Sequence, residues 1–330
     1  MLNYEDFKNA VQEQITNYID NKENYYADIH SVQKANGLNY DVVCIPPKES
    51  VSGIHTLPTM NINVLYEAYK SSGDLDEVIK YAAEQLTRSA KLIPPSLQQV
   101  SSLFNDESKN KIIFDVINTE ANENMLKDIP SRKFMDLSVI YKIYLGKNQN
   151  SSYSTVTITN DMAERMNLSE EQLYNLAYEN KKKILPSQII CMEELIMQQI
   201  PEMADLLENI SPDEKSYIIT NDCKINGAVN MLYKENLDKI AKTFDSDLYV
   251  IPSSIHEVIV FTVKNPNLSN PQESSEFIQQ TNQSTVEQAD RLSNQLYRYD
   301  AKSKELSIAS DSSLNRDIKD VEQPRRRRGR

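Results

Sequence analysis

An α+β fold of antiparallel or mixed sheets with packed helices is predicted by three features of this 330-residue chain. Residues 4–19 and 75–86 carry apolar side chains at helical spacing, an Asn36-Gly37 pair separates two strand-like runs, and residues 217–263 read strand, strand, helix, strand, strand. Hydrophobic residues make up 39% and charged residues 25%, a composition that buries a core, and the length suits one large or two modest domains. We divide the chain into an N-terminal α+β part (1–110), a central α+β part (111–264), a helical extension (265–300) and a disordered, basic-ended tail (301–330).

The first helix follows from Tyr4, Phe7, Val11, Ile15 and Ile19, which lie three or four residues apart with polar residues between them. Tyr25–Val32 and Tyr40–Ile45 then alternate as the arms of a hairpin, and residues 54–64 are expected to add a strand. Asp74 caps the next helix, whose apolar face is Leu75, Val78, Ile79, Ala82 and Leu86. Pro94-Pro95 stops it. Residues 112–117 and 137–145 are strand candidates, 153–159 alternates again, and Asn160 opens a short helix to Met166. Ser169 and Gln172 have capping-box spacing, Leu173, Leu176 and Ala177 face inward, and Lys181-Lys182-Lys183 closes that helix, where positive charge suits the carbonyl end.

Residues 189–192 form a short strand, and 193–207 form helical turns broken at Pro201. Residues 217–220 form a strand, 221–226 its turn and 227–233 the returning strand; Leu237, Ile240, Ala241 and Phe244 define a helix. Residues 248–251 and 257–263 complete the unit. Residues 264–275 read as a loop and 277–296 as weak helix.

The net charge of -12 excludes a generally basic nucleic-acid binder. Five of the cations are Arg325, Arg326, Arg327, Arg328 and Arg330, which takes the rest of the chain from -12 to -17, so nucleic-acid contact is expected at most through that tip. No signal segment and no run of about 18 apolar residues is found, so we expect no membrane partner and a cytoplasmic location. Cys44, Cys191 and Cys223 are far apart and never Cys-x-x-Cys, and His30, His55 and His256 stand isolated. No metal site and no cofactor is expected. Cys44 and His55 are the only thiol and imidazole close in sequence, and buried inert cysteine is the favoured reading.

The densest polar group is Ser253, Ser254, His256 and Glu257, between two strands, with Asn221 and Asn226 in the preceding turn. These six residues are the candidate binding face for a protein or small ligand. The alternative is a hydrolase using Ser253 or Ser254 with His256 as base, although a serine two or three positions from its histidine in a tight turn rarely points at it and no nucleophile elbow is present.

Tyr217–Asn221, Asn226–Ala228 leading to Tyr233, Asp247–Ser254 with His256–Val258, Asp128–Pro130, Gly73–Glu77 and Tyr297–Asp300 resemble an uncharacterised protein family of Gram-positive, mainly gut-dwelling Firmicutes. The resemblance covers roughly residues 1–300 and leaves the arginine tip outside. It implies a single cytoplasmic protein, often encoded near mobile genetic elements, with no established activity. The Pro-Ser-Ser-x-His-Glu stretch is similar to one in a second bacterial family of unknown function. A non-enzymatic binding or interaction module is the function we expect.

Overall fold

The computed structural model describes residues 1–33, 35–48, 57–92, 104–147, 153–268 and 270–309. The chain divides into two units, Met1–Ser108 and Lys109–Arg330.

In the first unit, α1 (Tyr4–Gln14) starts where the Asn3 side chain accepts from the Asp6 N–H at 2.9 Å. Strands β1 (Asp28–Gln33), β2 (Asn39–Cys44) and β3 (Met60–Asn61) form an antiparallel sheet in that order. The β1–β2 turn uses positive φ at Asn36 and Gly37, the conformation that this pair tolerates. Helix α2 (Ile62–Ser72) ends on Gly73 at φ +73°, and α3 (Leu75–Leu92) starts where Asp74 accepts from the Glu77 N–H at 2.9 Å. Phe7, Val11, Ile15, Val43, Ile62, Leu65, Ile79 and Ala82 form the core. The strand expected at 54–64 is corrected: only Met60–Asn61 pairs with β2, and the chain is helical from Ile62, while residues 54–56 lie outside the described residues.

Helix α4 (Asp106–Lys109) stands at the unit boundary. Among the described residues the second unit contains two antiparallel sheets. In the first, β4 (Ile112–Asn118) lies along one edge of the long β6 (Leu137–Lys147). The other edge takes β5 (Ser131–Phe134) and then β7 (Tyr153–Thr157) end to end. Short α5 (Glu123–Leu126) and α6 (Asn160–Arg165) connect these strands, and α7 (Glu170–Ile184) packs on β4 through Phe114, Tyr174 and Tyr178. The Ser169–Gln172 capping box forms as expected.

The second sheet comprises β8 (Ser187–Cys191), β9 (Ser216–Asn221), β10 (Leu248–Ile251), β11 (Val258–Thr262), β12 (Tyr297–Asp300) and β13 (Glu305–Ile308). Its order is β13-β12-β10-β11-β9-β8. Helices α8 (Met192–Gln199) and α9 (Ala204–Leu207) follow β8, split at Pro201 as expected. Helix α10 (Lys234–Phe244) follows β9, and α11 (Pro271–Thr285) precedes β12.

Three further expectations are corrected. Ala228–Leu232 is a 3-10 segment and not a returning strand, because Ala228, Val229, Asn230 and Met231 are all buried and an alternation of in and out does not arise. The stretch 265–300 is not simply a helical extension: Pro271, placed where its missing N–H is not needed, starts α11, and Tyr297–Asp300 joins the sheet. The expected disorder from Ala301 is overturned as far as Ala309, since β13 pairs with β12 and the Ala309 N–H donates to the Leu296 carbonyl at 2.7 Å. The rest of that tail, including Arg325–Arg330, lies outside the described residues. Among the described residues no helix is long and apolar enough to cross a membrane.

Candidate functional site

The six residues singled out by sequence converge on two turns that close on each other. Asn221 ends β9 fully buried; its side chain donates to the Ile225 carbonyl at 2.7 Å and accepts from the Cys223 N–H at 3.0 Å, which folds the 221–226 turn. Asn226 has positive φ, and its N–H donates to His256 Nδ1 at 3.3 Å. The next residue must be glycine. A Cβ on Gly227 would stand 2.3 Å from Thr220 Oγ1 and 2.6 Å from the His256 carbonyl, the same carbonyl to which the Gly227 N–H donates.

The 252–257 turn is held from both sides. Gly227 and Ala228 donate to the carbonyls of His256 and Ile255, while Leu292 and Ser293 donate to those of Ser253 and Pro252. Ser254 is buried, and its Oγ accepts from the His256 N–H at 3.1 Å. With His256 Nδ1 accepting from Asn226, Nε2 faces the Asp290 carboxylate at 3.3 Å. Neither serine hydroxyl is bonded to the imidazole, so the serine–histidine pairing imagined for a hydrolase is not assembled here. Glu257 is half-buried and makes no hydrogen bond or ion pair with a described residue.

Behind this turn pair lies a group that sequence reasoning misassigned. Lys181 is 0% exposed: it stands in the last turn of α7 as expected, but its charge is taken up by buried partners and not by the carbonyl end of the helix alone. Its Nζ donates to Asp115 Oδ1 and the Phe114 carbonyl at 2.8 Å, and to the Asn226 carbonyl at 3.3 Å. Lys142 Nζ holds the other Asp115 oxygen at 2.7 Å. Burial pushes the Lys181 ammonium down from its ordinary value against the pull of Asp115. Burial pushes Asp115 up, but the two ammonium groups outweigh it and the carboxyl is held below its ordinary value. Lys182 does behave as a surface cation: it pairs with Glu235 at 2.8 Å and lies over the Tyr178 ring. The signal for Lys181 was its spacing, since Leu173, Ala177 and Lys181 fall four residues apart on the buried face of α7.

One of the six residues opens onto something else. Ser253 lines a groove of about 670 Å³ between the outer face of β10–β11 and α11. Its floor is Ile251, Ile259 and Phe261, which alternate with the fully buried Val250, Val258 and Val260 on the opposite face. Ile278 anchors α11 beside Leu296 and Ala309, which leaves Phe277 on the groove wall at 69% exposure. Among the described residues Glu214 and Glu273 are the charged residues of the lining, with no lysine or arginine. A second cavity, of about 320 Å³, is lined by Arg132, Lys133, Lys234 and Lys304, of which Arg132 is bound by Glu170 and Lys304 by Asp238.

His30 was expected to stand isolated and does not: Asp28, His30 and Cys44 bring their ligand atoms within 4.8 Å of one another on the β1–β2 hairpin. Burial and the neighbouring Asp28 push the Cys44 thiol up to about 11. His55 lies outside the described residues, and the Cys44–His55 pair with it.

An α+β protein with two antiparallel sheets in its larger unit, and with a polar turn pair beside an open apolar groove, is thus the class that fold and geometry define. The chain belongs to the family of unknown function DUF5688, whose model matches residues 4–301. No curated protein and no solved structure matches it.

Proposed function

We propose that this protein is a non-enzymatic binding module whose site is the groove between β10–β11 and α11. Its occupant is a protein partner's short peptide segment with apolar side chains beside a basic one. The observation that carries this reading is Phe277, a large aromatic side chain left 69% exposed on the wall of an apolar groove. Aromatic anchors over apolar floors supply most of the energy at such sites. The volume of about 670 Å³ suits a few side chains, and the two carboxylates without a lining cation favour a basic flank. Of the six residues expected to bind, Ser253 keeps that role here; Asn221, Asn226, Ser254 and His256 serve the turn pair, and Glu257 does not line the groove. The bacterial, cytoplasmic setting in Firmicutes, near mobile genetic elements, that the resemblance implies is part of the same reading.

Fluorescence anisotropy with labelled peptides pairing Leu, Ile or Phe with Lys or Arg tests it. Saturable binding is expected, weakened by salt, and Phe277→Ser should cost about 2 kcal/mol or more, roughly thirtyfold in Kd. Glu273→Gln should cost less. Absence of binding across the set, or binding that Phe277→Ser leaves unchanged, overturns the proposal; tighter binding of a small apolar amine than of any peptide would replace the occupant.

A further inference from the structure

The β1–β2 hairpin carries a second chemistry, independent of the groove. Asp28 and Cys44 are directly opposite each other in the antiparallel register, and His30 lies two residues beyond Asp28 on the same face. The other face, with Ile29 opposite Val43, is packed into the core of the unit, so the hairpin holds the three side chains on a rigid support. His30 Nδ1 stands 2.9 Å from Asp28 Oδ2, and Cys44 Sγ stands 3.8 Å from the same oxygen. Asp28 and His30 are about half exposed, and Cys44 is buried at the base of the cluster.

We propose that Asp28, His30 and Cys44 form a three-ligand site for a divalent transition metal of the zinc type. The donor set of one thiolate, one imidazole and one carboxylate is what Zn²⁺ selects, whereas Mg²⁺ and Ca²⁺ favour all-oxygen shells. The spacing fits as well. Two nitrogen or oxygen ligands about 2.0–2.1 Å from a tetrahedral Zn²⁺ lie about 3.3 Å apart, and a sulfur about 2.3 Å from the metal lies about 3.5 Å from either. The observed 2.9 and 3.8 Å edges lie within about half an ångström of these values, and the third edge, between His30 and Cys44, is at most 4.8 Å, so binding needs the exposed His30 ring to turn toward the sulfur by about an ångström, within the reach of side-chain torsions. On binding, His30 Nδ1 and Asp28 turn from each other to the metal, the Nδ1 proton passing through water to Nε2 so that the imidazole stays neutral; the Cys44 thiol proton leaves to water as the sulfur–metal bond forms. Three protein ligands leave a fourth tetrahedral position toward solvent for water or an exogenous donor.

Titration of the reduced full-length protein with Co²⁺ as a spectroscopic substitute tests the site. One equivalent should produce the thiolate-to-cobalt charge-transfer band together with the intense visible bands of tetrahedral Co²⁺, and Zn²⁺ should bleach both. His30→Ala, at a half-exposed position, should weaken Co²⁺ and Zn²⁺ binding by at least about tenfold, because even outer-shell partners contribute about 10–100-fold. Asp28→Asn should do the same, and Cys44→Ser should abolish the charge-transfer band. A Cys191→Ser/Cys223→Ser double variant should keep the full spectrum. Octahedral pale-pink cobalt only, affinity unchanged in His30→Ala, or a charge-transfer band lost with Cys191 and Cys223 and not with Cys44 would each overturn the proposal.

Discussion

The turn pair of residues 221–228 and 252–257 and the groove under α11 belong to the same unit and share Ser253, yet they treat their surface chemistry in opposite ways. In the turn pair, carbonyls and amides are matched across and within the turns, the imidazole has a partner at each nitrogen, and the Asn226 carbonyl receives the buried Lys181. In the groove, Ile259, Phe261 and Phe277 remain without full cover. Polar density in the sequence marked the first region, but a binding surface is marked by contacts left unmade. A group fully engaged inside its own protein has little left to offer a partner.

The comparison breaks most sharply at Lys181. Lys181→Met should remove about 3–5 kcal/mol of stability by leaving Asp115 buried against Lys142 alone, and should loosen the Asn226 end of the turn pair. Urea denaturation measures this, and a loss below about 1 kcal/mol would mean that the triad is not the anchor described. The same group sets an acid dependence. Because the Asp115 carboxyl is held below its ordinary value, the stability it provides is fully present above the unfolded value of about 3.9 and is lost as pH falls through its folded value. Asp115→Asn should flatten that acid limb in denaturation midpoints taken at descending pH.

Gly227→Ala comes next, at about 1–3 kcal/mol, because the added methyl meets Thr220 and backbone on a fully packed side. Calorimetry should show a lowered Tm with peptide affinity retained once the protein is folded. His256→Ala should cost about 1 kcal/mol through its lost hydrogen bond. Smallest is Phe277→Ser, within about 0.5 kcal/mol of the parent in stability because the ring is exposed.

What the sequence made legible was local. The Asn36-Gly37 turn, the Asp74 cap and the Ser169–Gln172 capping box each depend on residues within a few positions, and each formed as read. What it hid depended on distant partners. The Ala228–Leu232 segment resembles a strand because its apolar residues are buried on all sides, and β13 was overlooked because a polar edge strand is specified by its pairing with β12. Lys181 was classed by its charge when its spacing placed it on the apolar face. Asp28 and Cys44 become neighbours only through the β1–β2 register, which no local pattern states. The candidate face divided in the same manner: the turns were legible, and their engagement with each other was not.

The direct test of the contrast is the affinity of one basic, apolar peptide for three proteins: the parent, His256→Ala and Phe277→Ser. We predict that His256→Ala binds within about twofold of the parent while Phe277→Ser loses roughly thirtyfold. The reverse order, with affinity lost in His256→Ala and kept in Phe277→Ser, would contradict the assignment of the turn pair to structure and of the groove to binding.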